Sequence, residues 1–178
     1  MVFVSIVISL IPVATSKGEA PTEIPNGYVE APLEEVWVSE PCVLDKYYIP
    51  WADKWITLDE FKLICITTAC EGGCSWEYQD RLRLIAKAII NRYASGDFGE
   101  TIHDVIYAPS QFNVVRWNGF PDAYADRVTD AVEVACYEAV ATDWDAHDMY
   151  YFNSNGYFSW AVDYWSDGTM FFSRKGLE

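Results

Sequence analysis

The sequence predicts an α+β domain, mainly helical, with a small antiparallel β-sheet near the C-terminus. Three observations predict this. Residues 57–93 repeat apolar side chains at helical spacing, and residues 121–141 do so again. From Met149 onward the pattern changes to short aromatic runs, MYYFNSNGYFSW and TMFFS, broken by Gly, Asn and Asp. Runs of that kind read as strands joined by tight turns. With 51% hydrophobic and 16% aromatic residues, a packed core is expected throughout this region.

The chain is organised around residues 57–92, TLDEFKLICITTACEGGCSWEYQDRLRLIAKAIINR. Thr57 and Glu60 have the S/T-x-x-E spacing of a capping box, in which each side chain satisfies a free N–H of the first helical turn. Phe61, Ile64, Cys65, Thr68 and Ala69 follow as one buried stripe, and Gly72 and Gly73 end the helix. A second helix is expected from near Ser75 to about Tyr93. Its buried face is Leu82, Ile85, Ala86, Ile89 and Ile90, with Arg81, Arg83 and Lys87 mostly off that face. Glu71 sits at the break between the two helices. A carboxylate at a helix end beside an apolar stripe is a candidate general acid, because desolvation raises its pKa. The alternative is a solvated residue at a helix terminus.

Upstream, residues 1–16 are apolar and carry no Lys or Arg. They read as a signal peptide or N-terminal anchor, too short for a comfortable membrane span. Residues 17–56 read as a Pro-rich, acidic linker. Its aromatic cluster Tyr47, Tyr48, Trp51 and Trp55 is expected to pack onto the domain that follows. Downstream, Thr101 begins a short helix stopped by Pro109, with His103 and Asp104 as surface residues of its first turn. Residues 110–115, SQFNVV, read as a strand or an extended loop. Residues 116–120 read as a turn with exposed aromatics, and one long helix is expected from Pro121 to about Ala141. Asp167-Gly168 is a hairpin signal. Tyr151 and Asn153 fall on one face of a strand.

Net charge is −15, which disfavours binding to nucleic acid and to anionic membranes. Membrane contact is expected only through residues 1–16 if they are retained. The cysteines are Cys42, Cys65, Cys70, Cys74 and Cys136, with no pair of CxxC units, so no metal site is expected. Cys70 and Cys74 are a possible bridge in an oxidising compartment, and Cys65 and Cys136 fall on apolar helix faces. No P-loop, dinucleotide-binding glycine pattern, GxSxG or HExxH motif occurs, and nothing calls for a cofactor.

Four motifs in order carry a family resemblance. They are a Glu closing one helix with a second Glu before a helix ending in Ile-Ile-Asn-Arg, then IHDVIYAPSQF (102–112), MYYFN (149–153) and DGTMFF (167–172). Together they cover roughly residues 57–173. This stretch resembles the cell wall hydrolase family typified by spore cortex-lytic enzymes (SleB-like), placing that domain at 57–178. The resemblance implies a lysozyme- or transglycosylase-like fold, a peptidoglycan glycan strand as substrate, and Glu71 as catalytic acid. It also implies Gln111 as a cleft residue. Tyr151 and Asn153 are added as substrate contacts from their shared strand face. Glu77 is the second carboxylate, but Gly72 to Trp76 separate it from Glu71 by more than the family pattern has.

The leading expectation is a monomeric, secreted peptidoglycan hydrolase that acts at the cell envelope, or a phage protein acting on a host wall. It would cleave next to N-acetylmuramic acid as a lytic transglycosylase. Two alternatives stand beside it. One is a Cys/His peptidase or amidase using Cys70 or Cys74 with His103 or His147. The other is a non-catalytic wall-binding module.

Overall fold

In the computed structural model, which describes residues 45–142 and 148–175, a β-hairpin precedes the first long helix. All of these residues fall within one unit, Cys42–Glu178. The expectations for residues 1–16, for the linker up to residue 44, for Cys42 and for His147 lie outside the described residues. The hairpin consists of β1 (Lys46–Ile49) and β2 (Lys54–Thr57), paired antiparallel. Residues 46–56, read from sequence as the end of a linker, are therefore ordered strand and turn. Ile49 and Ile56 are fully buried under them, and the Tyr47 ring stacks on Phe61 at 4.2 Å.

Helix α1 (Leu58–Gly72) starts at the predicted capping box, with both reciprocal Thr57–Glu60 bonds formed. Every residue of the predicted stripe is buried. A 3-10 turn (Trp76–Tyr78) then leads into α2 (Gln79–Ser95). Helix α2 is the centre of the fold and packs against α1, α3 (Ile102–Tyr107), α4 (Asp130–Ala141) and β3 (Met149–Asn153). Leu82, Ile85, Ile89 and Ile90 on α2 are all fully buried. Each such side chain contributes about 1.5–3 kcal/mol. Those four alone are comparable with the whole net stability of a typical domain, about 5–15 kcal/mol.

Lys87 departs from the sequence reading. It is fully buried, and its Nζ lies 3.9 Å from the centre of the Trp51 ring. The hairpin closes an aromatic face over this part of α2, so a cation sits where periodicity placed solvent. The stretch 110–115 is also not a strand. Pro109 stops α3, Ser110 adopts φ +66, and the Gln111 N–H donates to the Ala108 carbonyl. A 3-10 turn, Asn113–Arg116, follows.

The long helix expected over 121–141 is two pieces, a 3-10 segment Asp122–Arg127 and then α4. Val128 and Thr129 between them are extended. The Thr129 hydroxyl donates to the Cys74 carbonyl at 2.8 Å, which ties the start of α4 to the α1–α2 break. Of the apolar face expected for this helix, Ala131, Val132, Ala135, Ala139 and Val140 are buried, whereas Tyr124 and Val128 precede α4 and are half-buried.

The C-terminal sheet is three-stranded and antiparallel, in the order β3–β5–β4, with β4 at Val162–Ser166 and β5 at Phe171–Arg174. The predicted Asp167-Gly168 hairpin joins β4 to β5, with Gly168 at φ +86. The fold is thus mixed α+β, mainly helical, with its small sheet at the C-terminal end, as the sequence predicts. No helix among the described residues is long and apolar enough to cross a membrane.

Candidate active site

Glu71 is in the last turn of α1, where two glycines fix its position for different reasons. A Cβ on Gly72 would lie 2.7 Å from Ile85 Cδ1 and 3.0 Å from Leu82 Cδ2, so any larger residue would push on those buried side chains where α1 meets α2. Gly73 has φ +95, which turns the chain away from the helix. Glu71 is thereby left half-buried at the junction.

Burial pushes the Glu71 carboxyl above its ordinary value. The backbone N–H groups of Val114 and Asn113 face the carboxyl and oppose this without cancelling it. Those amides are the first two of the 3-10 turn Asn113–Arg116, whose N-cap residue Phe112 supplies no side-chain bond. The Glu71 carboxyl therefore faces the start of that turn from a distant part of the chain. Burial favours the neutral acid there, and the two amides facing it favour the anion.

The loop that brings those amides is anchored by Phe112 and Arg92. Phe112 is buried and packs on Phe152 of β3, ring centroids 5.9 Å apart. Arg92, in the last turn of α2, is 4% exposed. Its Nε donates to the Tyr150 carbonyl at 2.8 Å. Its guanidinium carbon lies 5.1, 5.3 and 5.9 Å from the ring centres of Phe112, Phe98 and Tyr151. Burial lowers the Arg92 pKa to about 10 against the opposing influence of Tyr151, so it stays cationic at neutral pH. Arg92 thus joins α2, the 110–114 loop and β3.

The predicted residues divide on this geometry. Tyr151 contacts the Arg92 cluster and meets the exposed Trp160 edge-on at 4.7 Å. Gln111 is half-buried, next to Phe112 and the amide pair. Asn153 is half-exposed, and its Oδ1 accepts from the Asn155 N–H at 3.1 Å. Its own turn engages it, and it is not buried. Glu77 is exposed on the Trp76–Tyr78 turn, with its carboxylate beside the Tyr78 hydroxyl. His103 is exposed and stacks on Tyr107, and the Asp104 carboxylate closes the capping box of α3.

A family model described as Cell Wall Hydrolase matches residues 77–172, more than half of the chain. The chain belongs to the cell wall hydrolase family. This membership implies a peptidoglycan substrate and action at the cell envelope. The match includes Glu77, Gln111, Tyr151 and Asn153, and it begins after Glu71. No curated protein and no solved structure matches the chain.

Sequence reasoning missed Arg92, Trp160 and the Asn113–Val114 amides. Arg92 had a signal: it continues the buried stripe of Ile85 and Ile89, and a charge on such a stripe needs partners. Backbone amides have no sequence signal at all. Among the described residues no group of His, Cys, Asp and Glu is arranged to hold a metal.

Proposed function

We propose that this cell wall hydrolase cleaves the glycan strand of peptidoglycan next to N-acetylmuramic acid as a lytic transglycosylase, with Glu71 as its acid and base. The observation that carries the reading is the double environment of Glu71, raised by burial yet met by the Val114 and Asn113 amides. In the first step the neutral carboxyl gives its proton to the glycosidic oxygen as the C1–O bond breaks. The amides then stabilise the carboxylate left behind. In the second step that carboxylate takes the proton of the C6 hydroxyl while O6 bonds to C1. The products are a free 4-hydroxyl and a 1,6-anhydro end, and Glu71 is neutral again. One carboxyl suffices, which accords with Glu77 being exposed. A water-using glycosidase needs a second carboxyl about 5–9.5 Å from the first.

Gln111 and Tyr151 flank the loop and strand joined by Arg92, and we assign them to the sugar-binding cleft. Asn153 stays in that set through its shared strand face with Tyr151. The cysteine alternative is disfavoured, since burial raises the Cys70 thiol and the groups facing it are Arg127, Cys74 and Glu71. Export to the envelope accords with the substrate.

Mass spectrometry of fragments released from purified peptidoglycan tests the reading. Anhydro-muropeptides are expected. Reducing ends would replace transglycosylation by hydrolysis, new amino termini with intact glycan would replace it by peptidase action, and no products from folded protein would leave a binding module.

A further inference from the structure

The β1–β2 hairpin has two unlike faces. One buries Ile49 and Ile56, and the other carries Tyr48 and Trp55, 39% and 58% exposed. Those two residues are directly opposite in register, with ring centroids 4.9 Å apart and planes tilted by 38°. Hydrogen bonds anchor the Tyr48 side chain and the backbone of Trp55. The Tyr48 hydroxyl donates to Asp53 Oδ1 at 2.9 Å, and Asp53 itself adopts φ +50 in the connecting turn. The Trp55 carbonyl accepts from the Tyr93 hydroxyl at 3.0 Å, while Lys54 Nζ donates to the Tyr93 carbonyl at 2.8 Å. The hairpin is therefore fixed to the end of α2.

A cross-strand aromatic pair contributes only about 0.2–1 kcal/mol to a hairpin. A large aromatic ring buries about 150–250 Å² when it is covered. Two such rings side by side, Tyr48 partly and Trp55 mostly open, beside a carboxylate suit a ligand with an apolar face and hydroxyls at its edge. A pyranose ring has that chemistry: its C–H face packs on the rings and its hydroxyls or acetamido N–H donate to Asp53. Nucleic-acid bases also stack on aromatic platforms, but a chain of net charge −15 opposes a polyphosphate. A second copy of the chain is the other contender. Two rings offer far less than the roughly 800 Å² per partner of a stable dimer.

We propose that Tyr48, Trp55 and Asp53 form a second glycan-contact surface, which holds a sugar ring of the peptidoglycan strand away from the cleaved bond. This rests on the glycan reading given above. The surface adjoins the start of α1, whereas Glu71 is in its last turn, and a helix of that length spans roughly 20 Å. It thus grips sugars beyond those at the reacting bond. Residues 48–55 also lie outside the stretch matched to the family, 77–172.

The test uses the full chain carrying Glu71→Gln, so that substrate survives, and measures sedimentation with purified sacculi. Trp55→Val keeps a good strand former but removes the ring. It is expected to weaken binding about 5- to 10-fold, the size of one aromatic contact, and Trp55→Tyr is expected to restore most of it. Independently of any variant's folding, soluble β-1,4-linked N-acetylglucosamine oligomers should shift the Trp55 indole N–H resonance of the Glu71→Gln protein. Undiminished sacculus binding by Trp55→Val, or an unmoved Trp55 resonance, overturns the proposal while leaving the cleavage reading intact. So does a dimer that Trp55→Val dissociates. A Glu71-intact protein that neither binds nor cuts sacculi removes both.

Discussion

The backbone N–H of Val114 faces the carboxyl of Glu71, so the end of α1 and the 3-10 turn after the Gln111–Phe112 loop meet at one ionisable group. Everything that positions that turn therefore acts on the acid. The chain of contacts runs from Val114 and Asn113 through Phe112 to Arg92 and β3.

Activity should follow the raised pKa of Glu71. An exposed Glu titrates near about 4.3, and burial moves Glu71 upward. The acid form persists to higher pH, and kcat/KM should fall on the alkaline side through that raised value. The folded pKa is raised, so the group's contribution to stability is full below the unfolded pKa and is lost as pH rises through the folded one. A pH–rate profile whose limb sits at or below the ordinary carboxyl value would contradict this.

Arg92→Ala removes a charge-assisted bond to Tyr150 and three ring contacts from a buried site. Unfolding measurements should show a loss of about 2–4 kcal/mol. Arg92→Lys keeps the charge but not the planar fork. It should fold better than the Ala variant and still lose activity, because the 110–114 loop loses its anchor. Full activity in Arg92→Ala would disconnect that loop from catalysis.

Gly72→Ala sets two effects against each other. Alanine gains about 1 kcal/mol in helix propensity. Its Cβ would meet Ile85 Cδ1 at 2.7 Å and Leu82 Cδ2 at 3.0 Å, both fully buried. Overpacking of a tight core costs about 1–3 kcal/mol, so a net loss of up to about 2 kcal/mol is expected in denaturant unfolding. A stabilised variant would mean that the α1–α2 contact yields easily.

Asp167 should stabilise the fold in a pH-dependent way. Burial alone would raise it, yet the Met170 and Thr169 amides, the Thr169 hydroxyl and Arg81 hold it at about 2. Its folded pKa is depressed, so its contribution is present above the unfolded value near 3.8 and is lost as pH falls through about 2. Asp167→Asn should lower Tm at pH 6, and the difference should shrink below pH 4. A difference that does not change with pH would exclude this ion pair as its cause.

Much of the architecture was legible because it is periodic. The stripe Phe61–Ala69, the capping box at Thr57 and the Asp167-Gly168 turn are local signals, and they formed as read. What was not legible depends on distant partners. Lys87 is buried because Trp51 covers it, and the 121–141 helix breaks where Thr129 reaches the Cys74 carbonyl. Residues 110–115 form no ladder: the Gln111 N–H goes to the Ala108 carbonyl, and the Asn113 and Val114 amides face Glu71. Glu71 itself was visible as a carboxyl at a helix break, whereas the donors that hold it are backbone atoms.

The most direct test of the central claim is the rate at which Glu71→Gln releases soluble fragments from purified peptidoglycan. Glutamine keeps the size of the side chain and an oxygen for the Val114 and Asn113 amides but has no proton to give. With folding confirmed by an unchanged circular dichroism spectrum, a loss of about 1,000-fold or more is expected, within the range of general acid catalysis. A variant that releases fragments at the wild-type rate would contradict Glu71 as the acid and move the search to another group.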